Sequence, residues 1–494
     1  MKTYHILLMS LGLLAVTACS KLDEQTYSSI PFGEYYKTAA DAEGAITAAF
    51  APLADLYFTA GTCASDFSAD QTYPRAVVGR NTLTLFNYDP NYTTQKSFAR
   101  DNESPLHIWR SCYAGIEKAN VVLERVPDIV MDEKRKKEIL GEASFLRAFY
   151  HWTLTKNFGD VVLRTASSST AEKAYAPVVP KADVYKQIFA DLDAAVAALP
   201  SYTPSLVKGR PSREVAIALY AKAALYAENY ALALSKAQEV LSSGKYELVD
   251  DPTDLYSVTK EDDARKENMW AFEAERTTPG RTHQLTGLYG PKNSDAPSYG
   301  ASTFGSIYAY QAFFDSFNPL DERRKLLDTT YINKSGAVVH QKDVTPITPK
   351  GVQVKKYQDA GAQGGNVSIN VQILRLADVY LIAAEAEVRL NGPTTLAYGY
   401  VNKVRERAGL SGLASGLTPQ QFIDAVLQER SWEFFGEGDR WYDLTRTNTF
   451  MAVIPRAVND VYPVRTPSAR NRYFPIPQDE INANPSIQQN PAWR

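Results

Sequence analysis

Carboxylate and guanidinium side chains alternate along one short run near the end of the chain, residues 429–446. Two carboxylates facing each other across a cleft, about 5–10 Å apart, are what a glycosidase needs for acid and base or nucleophile. The run supplies five acids, each with an arginine within a few positions: Glu429, Glu433, Glu437, Asp439 and Asp443, with Arg430, Arg440 and Arg446. Arginine pairing keeps acids ionised, so we predict a structural ion-pair cluster, with a hydrolase as the alternative.

Other catalytic motifs are missing from the sequence. The five histidines have no metal-ligand spacing, and no cysteine pair has zinc spacing. There is no G-x-S-x-G, P-loop or dinucleotide fingerprint. The sequence therefore predicts a protein that is not an enzyme, with no catalytic residues, no cofactor and no metal site.

A different chemistry is indicated by Cys19. Lys2 and His5 precede an apolar stretch, residues 6–16, that is too short to span a bilayer, and small residues lead to Val16-Thr17-Ala18-Cys19. This pattern resembles a bacterial lipobox, so we predict a signal peptide at 1–18, lipidation of Cys19 and an extended tether at 19–36. Two or three acyl chains anchor a domain almost permanently. The alternative is an ordinary secretory signal that happens to contain a cysteine.

Composition excludes two further classes of protein. The formal net charge is −3, and the densest basic cluster, residues 134–137, is flanked by acids, which argues against nucleic-acid binding. No segment after the signal has eighteen continuous apolar residues, so we expect no membrane-spanning helix. Thirty tyrosines offer flat apolar faces with a hydroxyl, which suits sugar rings as well as core packing.

Helical periodicity predicts the elements that must position these residues. Three helix pairs are indicated, at 109–150, 212–242 and 372–408, with single helices at 183–199 and 418–435. The second pair resembles the tetratricopeptide pattern of stacked helix–turn–helix units.

Long stretches between these helices are rich in Gly, Pro, Ser, Asn and Tyr and are predicted to be non-helical: 57–103, 159–181, 244–310 and 328–371. Such stretches are usually functional loops or appended subdomains, and Met269–Phe272 reads as a short strand. The predicted fold is mainly α, a tetratricopeptide-like scaffold with an irregular, loop-rich lobe containing a few short strands.

Cys63 and Cys112 could form a disulfide or remain buried free thiols.

Eight blocks in order resemble the SusD/RagB family of Bacteroidetes outer-membrane lipoproteins. They include IWRSCYAGIEKANVVLERV (108–126), GEASFLRAFYHWTLTKNFGDVVL (141–163), ILRLADVYLIAAEAEVRLNG (373–392) and ERSWEFFGEGDRWYDLTRT (429–447). The resemblance covers nearly all of the mature chain and implies a single SusD-like unit at 37–494, with an N-terminal part at about 37–245 and a C-terminal part at about 265–494.

The resemblance implies a function as well as a fold. Members of this family bind nutrients, most often glycans, at the cell surface and cap a SusC-type TonB-dependent transporter, without catalysis. Ser20 and the pair Asp23-Glu24 fit an outer-membrane lipoprotein that faces the cell exterior. A peptide or other nutrient as cargo, a surface hydrolase, and a helical adaptor without a small ligand are the alternatives.

The family motifs build the scaffold, so candidate ligand residues are chosen by chemistry. An aromatic platform with a few polar groups is what holds a sugar ring. Two loops mix these residue types, one at 66–92 and one at 281–308. The predicted ligand-binding residues are Asp66, Tyr73, Tyr88, Tyr289 and Tyr299; the alternative is that these tyrosines only pack the lobe.

Overall fold

A computed structural model describes residues 36–77, 79–91, 103–168, 175–292, 297–300, 303–343, 351–363 and 365–494. Over these residues the fold is mainly α, as predicted, with 55% helix and 8% strand. The helices are α1 (Ala39–Phe50), α2 (Pro52–Phe58), α3 (Ala60–Ser68), α4 (Arg80–Leu85), α5 (Pro105–Arg125), α6 (Glu133–Phe158), α7 (Lys181–Ala198), α8 (Arg213–Tyr226), α9 (Tyr230–Ser242), α10 (Glu261–Ala264), α11 (Leu285–Tyr289), α12 (Gln311–Asp315), α13 (Leu376–Asn391), α14 (Thr395–Arg407), α15 (Pro419–Glu433), α16 (Arg440–Arg446), α17 (Phe450–Val453) and α18 (Gln478–Ala483).

The strands are short and pair in twos. They are β1 (Thr72–Pro74), β2 (Val161–Val162), β3 (Val178–Val179), β4 (Asn268–Phe272), β5 (Ile307–Ala309), β6 (Leu327–Asp328), β7 (Thr330–Ile332), β8 (Val338–His340), β9 (Gln353–Val354) and β10 (Val371–Arg375). All five pairings are antiparallel: β1 with β5, β10 with β4, β2 with β3, β6 with β9 and β7 with β8.

The predicted helix pairs form the scaffold. Helix α5 packs on α6, α8 on α9, and α13 on α14, while α9 also packs on α13 and so joins the second pair to the third. Small residues allow the close approaches: a Cβ atom at Gly115 of α5 would collide with the ring of Tyr150 on α6. Helix α8 begins after Ser212, whose hydroxyl accepts a hydrogen bond from the Val215 amide at 3.2 Å, which is a side-chain N-cap.

The predicted start of the third pair is wrong by one short element. Residues 371–375 form strand β10 rather than the first turn of a helix, and α13 begins only at Leu376. The reason is a long-range partner, because β10 pairs with β4, the strand predicted at Met269–Phe272. Strand pairing between distant segments overrides local helical periodicity here.

The first predicted non-helical stretch is also partly wrong. Helices α3 and α4 lie within 57–103, and the second long stretch is wrong in the same way, since α10 and α11 lie within 244–310. Helix α3 spans only nine residues, which is shorter than the window over which helical periodicity can be read from a sequence.

One hydrophobic core spans most of the described chain. It joins side chains of α1, α5, α6 and α8 to those of β10 and the segment 435–476, so the N-terminal and C-terminal parts share it. A smaller cluster lies between α13, α14 and α15. The scaffold and the loop-rich lobe are therefore fixed to each other by buried apolar contacts.

Candidate functional site

The acidic run 429–446 folds into a buried network of ion pairs. Glu433, at the end of α15, lies against three guanidinium groups: Arg323 at 3.0 Å, Arg375 at 2.8 Å and Arg407 at 2.6 Å. Arg375 is the last residue of strand β10, and its guanidinium also bonds the Glu437 carboxylate at 3.0 Å. The network therefore connects α15, β10, α14 and the segment before β6.

A second set of pairs continues the network through α16. Arg430 bonds Asp378 of α13 at 2.6 Å and Asp443 of α16 at 2.8 Å. Lys222 of α8 bonds the other oxygen of Asp378 at 2.8 Å and Asp439 at 2.9 Å. Glu429 pairs with Arg323 at 2.7 Å, so each acid of the run has a cationic partner and the predicted ion-pair cluster is present. Only Asp443 pairs with arginines of the run itself, because the partners of the other four acids come from distant segments.

The electrostatics of this network oppose acid–base chemistry. Burial favours the neutral form of Glu433, but Arg407, Arg375 and Arg323 outweigh it and hold the pKa well below its ordinary value. Burial is likewise outweighed at Glu385, where Arg446 and Arg389 lower the pKa to about 2. A carboxyl that never holds a proton near neutral pH cannot act as a general acid. The arrangement stabilises the junction of the helices.

The two loops chosen by chemistry do meet in space. Strand β1 pairs with β5, which places Tyr73 directly opposite Tyr308, with ring centroids 6.4 Å apart. Tyr73 also contacts Tyr310 at 4.7 Å and Tyr462 at 6.2 Å between ring centroids. The loop-rich lobe is therefore one packed unit with a tyrosine cluster inside it.

Asp66 and Tyr289 form a second junction between the loops. The Tyr289 hydroxyl, at the end of α11, donates a hydrogen bond to the Asp66 carboxylate in the last turn of α3. Burial raises the pKa of Asp66 to about 7, although the hydrogen bond and the nearby Lys356 oppose the shift. The pair ties the two loops together beneath the surface.

The remaining two predicted residues lie apart from that pair. Tyr88 packs between Phe474 and Trp493, and the Tyr299 hydroxyl donates to the Val354 carbonyl at 3.2 Å. All five predicted residues, Asp66, Tyr73, Tyr88, Tyr289 and Tyr299, are at most 2% exposed. Ligand contact by these residues stays a prediction. In this conformation their side chains pack inside the lobe.

An accessible aromatic surface lies elsewhere, in a pocket that we call the tyrosine pocket. Its volume is about 360 Å³, and it lies between α5, the β2 segment and α18. Tyr175 is 50% exposed at its wall, and Tyr113 is half-buried beside Trp109, with ring centroids 4.9 Å apart. A volume of this size suits one or two sugar rings.

Polar groups converge on the same pocket. The Arg110 guanidinium bonds the Glu480 carboxylate at 2.9 Å, and both side chains keep solvent-exposed surface. Asn484 donates to the Ala176 carbonyl at 3.0 Å, and the Tyr113 hydroxyl donates to the Val162 carbonyl at 2.9 Å. The pocket combines an aromatic wall with hydrogen-bonding groups that are already held in place.

One feature of the sequence points to this pocket. Tyr175 belongs to the stretch 159–181, which composition marks as a functional loop, whereas Trp109 and Tyr113 lie on a helical face that reads as core. The wall contributed by α18 comes from a segment almost at the end of the chain. A pocket built across such a separation has no local sequence pattern.

Several other predictions can be compared with the structure. Cys63 and Cys112 are buried free thiols, so they form no disulfide. In the described ranges, none of the helices has the length and apolar composition of a membrane span. The same ranges contain no group of three or more His, Cys, Asp or Glu side chains placed to hold a metal ion. The signal peptide, Cys19 and all but the last residue of the tether lie outside the described residues.

Two family models match most of the chain. One, described as the SusD family, matches residues 251–493, and the other, described as "Starch-binding associating with outer membrane", matches residues 34–225. A SusD-like protein of Formosa agariphila is 26% identical over 439 residues, covering 81% of this chain and 82% of the relative. The starch-binding protein SusD of Bacteroides thetaiotaomicron is 31% identical over 161 residues, 29% of this chain and 26% of that one.

Solved structures share the fold. Surface glycan-binding protein A of Bacteroides uniformis superimposes with a TM-score of 0.76 at 24% identity, covering 92% of this chain and 100% of the other. A laminarin-binding SusD-like protein gives a TM-score of 0.77 at 24% identity, with the same coverage. Surface glycan-binding protein A of Bacteroides thetaiotaomicron, solved with laminarihexaose, gives a TM-score of 0.74 at 21% identity, again with 92% of this chain and 100% of the other covered.

Proposed function

The chain belongs to the SusD/RagB family, and from that premise we propose that it is a non-catalytic, surface-exposed outer-membrane lipoprotein that binds a glycan. In this proposal it delivers the bound oligosaccharide to a SusC-type TonB-dependent transporter. The observation that carries the proposal is the agreement of two SusD family models over both parts of the chain, one of them described by starch binding at the outer membrane. The glycan-binding names of the structural neighbours support it.

The lipobox at Val16–Cys19 supports membrane attachment through an acylated Cys19. Replacing Cys19 with alanine in the full chain removes the acceptor thiol, so incorporation of labelled palmitate and recovery in the outer-membrane fraction should both be lost. Cys112→Ala is the matched control, because that thiol is buried in α5. Unchanged labelling of Cys19→Ala would contradict the proposed anchor.

The partner is tested by gentle extraction from the outer membrane. Solubilised in mild detergent, the full-length lipidated protein should co-purify with a barrel transporter of the TonB-dependent class. A protein that emerges alone under these conditions would remove the transporter from the proposal. Glycan binding would stand, since it is measured separately.

The tyrosine pocket is the proposed glycan-binding site. It is open to solvent in the folded chain without any movement of the loops. Its exposed Tyr175 supplies an apolar face, and the Arg110–Glu480 pair supplies donors and acceptors for ring hydroxyls. The five loop residues remain the competing proposal, in which the loops must open to present Tyr73 or Tyr299. The two proposals make opposite predictions for alanine variants.

Tyr175→Ala should weaken glycan binding at least tenfold in calorimetric titration, about 1.4 kcal/mol, because it removes the stacking face. Tyr175→Phe keeps the ring and should bind nearly as the native chain does. Leu320→Ala, at an exposed apolar residue elsewhere, is the control for non-specific loss. Undiminished binding by Tyr175→Ala, with loss in Tyr299→Ala at unchanged melting temperature, would move the site to the loops.

The alternatives have their own readouts. Peptide cargo predicts silence across a polysaccharide panel and a response to peptides. A hydrolase predicts shortened glycan after incubation with the purified chain, and loss of that cleavage in Glu433→Gln. The ion-pair network gives that second alternative no proton donor, since the pKa of Glu433 is held low by its arginines against the effect of burial.

A further inference from the structure

A small cavity with an unusual charge lies on the helical scaffold, apart from the tyrosine pocket. We call it the basic cavity; its volume is about 20 Å³, room for one water-sized particle. Its wall comes from the ends of α6, α7 and α8, from α16 and from residues 472–473. The side chains that matter are Lys156, Lys181, Tyr226, Tyr442, Arg446 and Arg472.

Four cationic side chains line the basic cavity, and its wall contains no acid. Arg446 is neutralised from behind by Glu385 at 2.6 Å and Asp443 at 2.8 Å. Lys181 donates to the Tyr473 hydroxyl at 3.2 Å, and Arg472 lies against the ring of Tyr473. Over the described part of the chain, neither Lys181 nor Arg472 forms an ion pair, so the cavity carries uncompensated positive charge.

Lys156 is the cation of this cavity that lies between two aromatic rings. Its ammonium lies 4.4 Å from the ring centroid of Trp152 and 4.3 Å from that of Tyr442, with no carboxylate bonded to it among the described residues. The nearby Asp439 is bonded to Lys222 instead. Burial lowers the pKa of Lys156 to about 8, with Asp439 opposing the shift, so the ammonium still predominates at neutral pH. A partly buried charge without an ion-pair partner is stabilised when an anion binds beside it.

The Tyr226 hydroxyl provides an independent observation. Tyr226 is 7% exposed, and its hydroxyl oxygen is buried without a hydrogen-bond partner in the described structure. It lines the same cavity as Lys156. An O–H group left without an acceptor costs about 1–3 kcal/mol, which an acceptor in the cavity would recover.

We propose that the basic cavity binds a single halide ion, chloride under physiological conditions, held by the Lys156 ammonium and the Tyr226 hydroxyl. A cavity of about 20 Å³ has room for one compact ion. Because its walls come from four helices and the segment 472–473, the ion stabilises the attachment of that segment to the scaffold. This site is independent of glycan binding.

Bromide-soaked crystals of the mature chain test the proposal directly. We expect an anomalous peak within hydrogen-bond distance of Lys156 Nζ and Tyr226 Oη, absent in Lys156→Met. The melting temperature should rise by about 1–3 °C when sodium chloride replaces sodium gluconate at equal ionic strength, and Lys156→Met should lose that rise. Lys186→Met, at an exposed lysine of α7, is the control and should keep it.

Tyr226→Phe provides a second route if Lys156→Met does not fold, and it should weaken both the peak and the chloride-dependent rise. A cavity that holds only water in the bromide crystal overturns the proposal. An equal chloride effect in the native chain and in the cavity variants also overturns it, because the ion would then act elsewhere.

Discussion

Glu433→Gln is the change that tests the buried ion-pair network most severely. The native carboxylate accepts from three arginines at 2.6–3.0 Å, and Gln removes the charge while placing an NH₂ group among donors. Breaking one member of a buried ionic cluster costs about 3–5 kcal/mol, because the remaining charges lose their compensation. For a folded chain of roughly 430 residues the unfolding entropy is about 0.9 kcal/mol per degree, so the melting temperature should fall by about 3–6 °C.

Glu239→Gln is the matched control for this measurement. Glu239 pairs with Lys236 at 2.9 Å but is 45% exposed, and exposed pairs contribute less than about 1 kcal/mol. Scanning calorimetry on both variants should therefore show a drop of several degrees for Glu433→Gln and less than about 1 °C for Glu239→Gln. Equal melting temperatures for Glu433→Gln and the native chain would refute the assignment of this network to stability.

Three further predictions concern the interior. The folded chain keeps a proton on Asp66 up to about pH 7 because of burial, whereas an ordinary aspartate releases it near 3.8, so native stability should fall as pH rises between these values. Urea titrations should show that Asp66→Asn removes this loss, up to about 4 kcal/mol; identical pH profiles would contradict it. The Arg465 guanidinium donates to the backbone carbonyls of Ala69 at 2.8 Å, Ser68 at 2.9 Å and Thr84 at 3.0 Å. Arg465→Met leaves these buried carbonyls without a donor, so it should lower the free energy of unfolding by about 3 kcal/mol or more. An unchanged free energy of unfolding would show that water replaces the guanidinium as donor. Cys63 and Cys112 are buried, which raises their pKa values, so a thiol reagent at pH 8 should label them only after denaturation; rapid labelling of the folded chain would contradict their burial.

The helical scaffold could be predicted because its signals are local. Ser212 precedes the apolar stripe of α8 and caps it, and the turn before Tyr230 is closed by the Asn229 side chain, which accepts from the Leu232 amide at 3.2 Å. Apolar spacing and caps act within a few residues of each other. The β10–β4 pairing joins segments about a hundred residues apart, so no local sequence pattern predicts which two strands pair.

The candidate site could be predicted only in part. The loops of Tyr73 and Tyr308 were chosen by residue chemistry alone, and their pairing through β1 and β5 is a finding of the structure. Residue chemistry does not distinguish a tyrosine with an exposed ring from one that packs inside. Tyr299 is fully buried and Tyr175 half-exposed, although both lie in loops of similar composition. Exposure depends on which distant segments cover a ring, and that is decided by tertiary packing.

The central claim is that this chain binds a glycan and leaves it intact. The most direct measurement is calorimetric titration of the mature chain, starting after Cys19, against a panel of polysaccharides, with the size of each glycan measured before and after incubation. We predict saturable binding to one glycan class, with its chain length unchanged. Silence across the panel together with binding of peptides, or shortening of the bound glycan, would contradict the account.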